Sequence, residues 1–423
     1  MKENLLHFIW KLKLYSKDKL KTTNGEKIEV LKPGIENFNS GPDFLNTKIR
    51  INEQLWVGNV EIHSNASDWY AHNHETDTTY DSVILHVVWE HNIDVYRSTN
   101  ETIATLELKN FISNELLTKY GQLFNAPKKW INCENEIASI DSFTLNHWFE
   151  KLYFERLIEK SKQIEQILSK TKNNWEETLF MVLAKNFGLK VNAEAFLAFA
   201  NSFDFTIVRK ISYNLDELEA LFFGQAAMLL ETEESIYFKR LKSNYKYLQK
   251  KFNLQPISKN QFQFFRLRPT NFPTIRLSQL ANLYHKHQNL FSKIIETTSL
   301  KDFHDVFNVS TSSFWSSHFT FKTTSNKSIK KLSKPFIELL LINTIIPIKF
   351  LYLKSLNKTE TNSILELVEQ LKPEKNAIIA SFNKLKIKSK SAFETQALLQ
   401  LKNKYCNNQR CLQCAIGNQL LKN

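Results

Sequence analysis

Two strand-like segments joined by a short polar turn constrain most tightly how the N-terminal part of this chain can fold. Residues 44–51 and 55–63 are rich in β-branched and other apolar side chains, and the polar stretch 52–54 separates them. This spacing predicts a β-hairpin. Because a hairpin folds its second strand back along the first, we expect Asp43 and Glu61 to lie side by side at one end of it.

The residues around the hairpin predict a larger sheet. Residues 83–89 are almost wholly apolar, as in a central strand that is buried on both faces. Shorter strands are expected at 28–31 and 102–108, and the residues between the hairpin and the central strand can accommodate one crossover helix. His86 interrupts the apolar run, and we interpret it as a core histidine that points toward the end of the hairpin.

From residue 141 onward, apolar residues recur with the 3.6-residue period of amphipathic helices. Helices are expected at 175–187, 215–230, 278–291, 335–353 and 363–371, and Asn173 and Asn214 begin sequences that resemble capping boxes. The pattern therefore predicts an α+β protein. An N-terminal mixed-sheet domain in residues 1–126 would precede a larger, mostly α-helical domain in residues 127–423.

The N-terminus and the apolar segments favour a soluble protein. The first 15 residues mix charged and apolar side chains, unlike a signal peptide. The most apolar later run, 336–353, contains Glu338, Pro347 and Lys349, which is more typical of a buried, kinked helix than of a membrane span. We therefore expect a cytoplasmic protein that does not enter a membrane. The sequence indicates no particular protein partner.

Charge is unevenly distributed along the chain. Residues 1–110 contain 16 acidic and 12 basic residues and six of the 11 histidines, whereas the whole chain carries a net charge of +13. An acidic, histidine-rich part suits a metal site, and a basic remainder suits binding to a polyanion such as nucleic acid. A lysine-rich coding bias would account for the same basic excess.

The end of the hairpin carries residue types used in phosphodiester cleavage. Asp43 and Glu61 could hold Mg²⁺ or Mn²⁺, and His63 faces the same side of the strand as Glu61, where it could orient a water molecule. Pro42-Asp43 followed by Glu61-x-His63 resembles the PD-(D/E)xK nuclease core, with His63 in the lysine position. This resemblance implies a metal-dependent nuclease in which Asp43, Glu61 and His63 are catalytic. A turn aspartate and a solvated glutamate are the alternative interpretation.

A second polar cluster follows the hairpin. His72 and His74, with nearby carboxylates, could join Asp43 and Glu61 as metal ligands or bind Zn²⁺, Mn²⁺ or Fe²⁺ themselves. The H-x-H pair also occurs in cupins, but this chain lacks their glycine-rich spacing. A single histidine is ordinarily structural. The occurrence of four histidines within residues 63–86 therefore makes the metal interpretation worth testing.

The four cysteines indicate a separate metal site. Without a secretion signal, disulfides are not expected. A zinc site or an iron–sulfur cluster needs four ligands, and the thiols available are Cys133, Cys406, Cys411 and Cys414. We therefore expect a structural metal at these residues. Free thiols on a helical tail and a redox role are the alternatives.

A proline-rich segment carries arginines among phenylalanines. Arg266, Arg268 and Arg276 could clamp phosphate groups while the aromatic rings stack on bases, so the segment is predicted to bind nucleic acid. In the alternative interpretation, the loop is buried and its arginines pair with helix carboxylates.

Motifs spread over the chain resemble those of an uncharacterised bacterial family of about this length, which implies a shared architecture but no activity. They are G-P-D-F at 41–44, G-N-V-E-I-H at 58–63, R-x-R-P-x-N-F-P at 266–273 and the C-terminal cysteine segment. The leading hypothesis is a metal-dependent nuclease or phosphodiesterase. The alternatives are a non-catalytic nucleic-acid-binding protein with a degenerate nuclease fold and a histidine-cluster metalloenzyme that acts on a small molecule.

Overall fold

The structure, a computed structural model, comprises two compact units. The residues it describes are 1–124, 129–231, 233–358 and 361–422. The first unit contains residues 1–148, 385–387 and 401–423, and the second contains 149–384 and 388–400. The predicted boundary at residues 126 and 127 lies outside the described residues. The C-terminal segment belongs to the same unit as the N-terminal sheet, and both candidate metal sites are therefore in one unit.

The first unit is built on one mixed sheet. Its strands are β1 (Ile28–Lys32), β2 (Ile35–Glu36), β3 (Phe44–Ile51), β4 (Gln54–Asn65), β5 (Val83–Glu90) and β6 (Thr105–Glu107). The strand order is β1-β3-β4-β5-β6, and β2 also pairs with β3. The pairs that involve β3 are antiparallel, whereas β5 is parallel to both β4 and β6.

The predicted hairpin is formed by β3 and β4. Ile51 pairs with Gln54 at the turn, and Phe44 pairs with Val60 toward the other end. Asn52 adopts the left-handed backbone conformation that such a tight turn requires. The central strand β5 is buried over most of its length, as its apolar sequence predicts.

Helices account for most of the remaining chain, which confirms the predicted α+β class. They are α1 (Glu3–Leu12), α2 (Asp68–Ala71), α3 (Asn114–Phe124), α4 (Ser142–Lys170), α5 (Trp175–Phe187), α6 (Leu189–Ala200), α7 (Phe205–Ile211), α8 (Leu215–Gln225), α9 (Ile236–Phe252), α10 (Pro273–Lys286), α11 (Leu290–Glu296), α12 (Leu300–Val306), α13 (Lys334–Leu340), α14 (Ile346–Ser355), α15 (Asn362–Gln370), α16 (Ala377–Lys384), α17 (Ala392–Gln400) and α18 (Ala415–Lys422). Turns of π-helix, at Leu341–Ile345 and Leu401–Cys406, follow α13 and α17.

The second unit has a core rich in phenylalanine. Phe180 contacts Phe199, Phe205 and Phe222, with ring centroids 5.3–6.3 Å apart. Burial of these large rings supplies much of the apolar contact area that holds the helices together. Asn214 caps α8 by accepting from the amides of Asp216 and Glu217, as its sequence predicts.

One helical run in the described residues is apolar enough to cross a membrane by length and composition alone. This run is Lys334–Ser355, and 67% of its most apolar window is buried within the protein. Lys349, within the run, donates to the carbonyl oxygens of Ile294, Ile295 and Thr297. Its ammonium group thereby satisfies carbonyls at the C-terminal end of α11.

Candidate functional site

Asp43 and Glu61 meet at the end of the hairpin. The backbone amide of Asp43 donates to Glu61 Oε2 at 3.1 Å, and Asp43 Oδ2 accepts from the amide of Ile62 at 2.9 Å. These reciprocal bonds follow from the strand register, which places the two residues next to the Phe44–Val60 pair. Burial, together with the charge of Asp43, raises the pKa of Glu61, whose residue is only 5% exposed.

Three imidazoles converge beside Glu61. One ring nitrogen from each of His63, His72 and His74 lies within 4.8 Å of the others, and His63 Nε2 is 3.1 Å from His72 Nδ1. Glu61 Oε1 is 3.3 Å from His74 Nε2 and 3.5 Å from His63 Nε2. A tetrahedral metal with ligands at 2.0–2.1 Å holds them about 3.3 Å apart. The three nitrogens are therefore spaced to hold one metal ion, and Glu61 lies beside two of them as a candidate fourth ligand.

The contacts around His63 determine its protonation state and the orientation of its ring. Its Nδ1 is 2.9 Å from His86 Nε2, so the predicted core histidine does face the end of the hairpin. Burial and the neighbouring His74 and His72 lower the pKa of His63 to about 3, and burial lowers the pKa of His86 well below its ordinary value. Both rings are therefore neutral. A proton on His63 Nδ1, donated to His86, leaves Nε2 free to bind a metal.

His74 has a buried nitrogen without a hydrogen-bond partner. Its Nε2 faces Glu61 Oε1 but makes no well-aligned hydrogen bond within the described chain. The ring stacks on Tyr80 at a centroid distance of 3.7 Å and contacts Trp69 edge-on at 5.3 Å. An unpaired buried nitrogen is costly. A bound metal would satisfy it.

Helix α1 adds a second group of ligand atoms. Glu3, His7 and Asp43 each offer one ligand atom within 4.8 Å of the others, and His7 Nε2 is 3.3 Å from Asp43 Oδ2. Burial lowers the pKa of His7, but contact with Asp43 and the charge of Glu3 outweigh it, so the pKa is raised. Glu3 and His7 are not among the site residues predicted from the sequence. Their i,i+4 spacing near an apolar helical stripe was the available signal.

The aspartates near the histidines have local structural roles. Asp68 Oδ2 accepts from the amide of Asn65 at 2.9 Å, and Asp77 Oδ1 accepts from the amide of Thr79 at 2.9 Å. Both contacts satisfy backbone donors at turns. The candidate metal ligands are therefore Glu61 and the three histidines, with Asp43 adjoining them. They lie where β4 approaches its C-terminal end, a region called the sheet edge below.

The four cysteines lie in the same unit and line one small cavity. Cys133 comes from the segment that follows α3, and Cys406, Cys411 and Cys414 come from the segment between α17 and α18. Burial raises the pKa of all four thiols, for example that of Cys406 to about 12. Without a cation, burial therefore favours the protonated form of these thiols.

Specific contacts hold the C-terminal segment to the rest of the first unit. Lys402 Nζ donates to the carbonyl oxygen of Trp130 at 2.7 Å, and Gln419 Nε2 donates to Asp141 Oδ2 at 2.8 Å. A Cβ atom at Gly417 would lie 2.2 Å from the carbonyl oxygen of Cys411, so this close approach requires glycine.

Comparison with known proteins identifies a family. The sequence matches the family described as "Protein of unknown function (DUF2851)" over residues 3–377. The chain belongs to the DUF2851 family. The matched region includes the sheet edge and Cys133 but ends before Cys406. No curated protein and no solved structure matches the chain.

The three arginines of the proline-rich segment have different environments in this DUF2851 chain. Arg266 and Arg268 are exposed. Arg276 lies in the first turn of α10, is 5% exposed, and donates to Gln279 Oε1 and Asn271 Oδ1 at 2.8 and 2.6 Å. Its guanidinium also lies 3.5 Å from the centroid of the Phe336 ring. Arg276 therefore organises the interior of the second unit, whereas Arg266 and Arg268 can meet a partner.

Proposed function

We propose that this protein is a metal-dependent phosphodiesterase that acts on nucleic acid. The observation that carries the proposal is the convergence of Glu61, His63, His72 and His74 at the end of a hairpin that also presents Asp43. A nitrogen-rich ligand set suits Zn²⁺ or Mn²⁺ better than Mg²⁺. A metal bound there would polarise a phosphate oxygen and acidify a bound water molecule.

The residues of the chain would divide the work at this site. His63, His72, His74 and Glu61 would hold the cation, so His63 would be a ligand as well as the catalytic residue predicted from the sequence. His86 would fix the orientation of His63 through the 2.9 Å contact with its Nδ1. Asp43, with Glu3 and His7 beside it, would orient the attacking water or hold a second cation. One metal ion per chain at this site would indicate that Asp43 orients the water, and two would indicate that it holds a second cation.

Nucleic acid is the proposed substrate because the chain outside residues 1–110 is strongly basic and exposes Arg266 and Arg268. Arginine can bind phosphate oxygens through two parallel hydrogen bonds. A non-catalytic nucleic-acid-binding protein would show salt-sensitive binding without turnover.

A small-molecule metalloenzyme is the second candidate. Glu61, His63 and His74 are 5%, 1% and 8% exposed, so three of the four proposed ligands are inaccessible to a bulky duplex. Hydrolysis of a small phosphodiester without cleavage of any polynucleotide would favour this candidate.

The test compares cleavage of single- and double-stranded DNA and RNA, and of a small chromogenic phosphodiester, with Mn²⁺, Zn²⁺ or Mg²⁺. Glu61→Gln and His74→Ala should each lower activity by more than the roughly 100-fold that loss of an outer-shell partner typically causes. His91→Ala is the matched control, because His91 pairs with Asp94 outside the cluster. Full activity in either site variant, with its fold verified by circular dichroism, would exclude this assignment.

A further inference from the structure

We propose that Cys133, Cys406, Cys411 and Cys414 hold an iron–sulfur cluster rather than a single zinc ion. The four side chains come from two segments about 270 residues apart in the sequence and line the same cavity. Four cysteines are the complete ligand set for either a structural zinc or an iron–sulfur cluster. The proposal is independent of any reaction at the sheet edge.

The spacing of the sulfurs distinguishes the two metals. With Zn–S bonds of about 2.3 Å, a tetrahedral zinc places neighbouring sulfurs about 3.8 Å apart. Within the part of the chain that the structure describes, which includes all four cysteines, no three sulfurs lie within 4.8 Å of one another. The set is therefore too wide for one zinc ion. Thiolates that bind the outer corners of a multi-iron cluster are necessarily farther apart.

The walls of the cavity suit a cluster that is shielded from water. Leu123, Leu401 and Ile416 line it together with the cysteines. An apolar site limits the access of solvent to bound iron and sulfide and is one of the factors that set cluster potentials.

Polar N–H groups lie near two of the four sulfurs. The amides of Ile416 and Gly417 and the indole of Trp148 lie near Cys414, where they lower the pKa of the thiol and so oppose part of the effect of burial. The Asn132 side chain acts in the same direction on the pKa of Cys411. Donors directed at sulfur stabilise a thiolate and a cluster more than they stabilise a neutral thiol. Because Gly417 has no Cβ, the start of α18 can pack closely against the backbone of Cys411.

Positive charge lies close to the proposed cluster. Arg410 lines the cavity, where its guanidinium lies 4.8 Å from the centroid of the Tyr405 ring. The charge of Lys402 acts on Cys406. A cluster held by four thiolates is anionic, and these cations would offset part of its charge.

The test is anaerobic purification of the full chain, followed by reconstitution with ferrous iron, sulfide and a thiol reductant. We expect iron and acid-labile sulfide in equal amounts and a visible absorption band that bleaches on reduction. Cys411→Ser and Cys414→Ser should each lose most of the iron. Asn408→Ala is the matched control, because Asn408 is on the same segment but does not line the cavity.

Two outcomes would overturn the proposal. One zinc per chain without sulfide would show a single-ion site, and an unmetallated protein after reconstitution would show free thiols. If the serine variants fail to fold, the wild-type protein still provides a test. Mild oxidation with a chelator should remove the absorption band and the iron together while the helical circular dichroism signal persists.

Discussion

The histidine and cysteine sites of the first unit differ in how their ligand atoms are spaced. At the sheet edge, nitrogens of His63, His72 and His74 already lie within 4.8 Å of one another, and Glu61 Oε1 is 3.3 Å from His74 Nε2. Among the described cysteines, no three sulfurs meet that limit. Both sites offer four ligands. Ligand spacing, more than ligand number, therefore distinguishes the proposed single-ion site from the proposed cluster site.

The two sites are also assembled differently. Strand pairing fixes Glu61 and His63, and a short loop supplies His72 and His74, so the histidine site is local in sequence. The cysteine site joins residue 133 to residues 406–414. A site made from distant segments gains its geometry only after long-range packing. The cysteine site should therefore be more sensitive than the histidine site to disturbance of the C-terminal tail, residues 401–422.

Removing one ligand from each site is the strongest test of this comparison. His74→Ala should lower the affinity for Zn²⁺ or Mn²⁺ at the sheet edge by more than about 100-fold, beyond the effect typical of an outer-shell change, and leave iron unchanged. Cys411→Ser should lower the iron content and leave the affinity for Zn²⁺ or Mn²⁺ at the sheet edge unchanged. Metal analysis after dialysis against a chelator would measure both. Loss of both metals from either variant would show that the sites are not independent.

Glu219, in the second unit, tests what burial alone does to an acid. It accepts from the hydroxyls of Tyr237 and Ser278, and burial raises its pKa to about 7. Because the folded state holds this proton more tightly, its stabilising contribution is present below about pH 4.5 and is lost as the pH rises to about 7, amounting to about 3 kcal/mol.

Glu219→Gln should remove that pH dependence. Urea unfolding of wild type and variant at several pH values between 4.5 and 8 would measure it, with Glu296→Gln as an exposed control. Equal pH dependence in the wild type and Glu219→Gln would contradict the assignment. Metal content at the two sites of the first unit should not change, because no described metal-ligand group includes Glu219.

His86 tests whether the histidine site depends on its outer contact. His86→Leu removes the partner of His63 Nδ1 and should weaken metal binding at the sheet edge by about 10- to 100-fold. His86→Gln keeps a polar group near the position of Nε2 and should restore much of that affinity. Isothermal titration with Zn²⁺ would measure both. Equal affinities for the two variants would mean that packing, not the hydrogen bond, supports the site.

Gly417→Ala should give the smallest effect, confined to the cysteine site. The new Cβ would meet the Cys411 carbonyl at 2.2 Å, and relief of that overlap should cost about 1 to 2 kcal/mol. We expect a lower yield of reconstituted iron and earlier thermal release of the tail, with unchanged metal affinity at the sheet edge. Protection of tail amides from hydrogen exchange would locate the change.

The sequence predicted the sheet edge well because its signals are local. β3 spans the predicted 44–51, and the period of two places Glu61 and His63 on one face. The apolar run around His86 similarly predicted a buried histidine at the right end of the sheet. These features depend on neighbours in sequence or on one hairpin, which pattern analysis can detect.

The remaining features depend on contacts that no local pattern encodes. Glu3 and His7 reach Asp43 only because α1 packs on the sheet. The sequence predicted that Arg276 belongs to a proline-rich loop. Pro273 instead occupies the first position of α10, so Arg276 lies in a buried helical turn. The predicted cap at Asn173 is one residue early, because Asn174 caps α5. Caps are sensitive to such shifts, since either asparagine fits the pattern.

The discontinuous first unit has a consequence for biosynthesis. Residues 401–422 leave the ribosome after the whole helical unit has been made, yet they pack with the sheet that emerged first. Until then, Cys133 lacks its three thiol companions and the surface that will receive α18 is bare. A nascent chain stalled before residue 401 should therefore present that surface to chaperones, and a metal bound by all four cysteines could be inserted only after residue 414 has emerged.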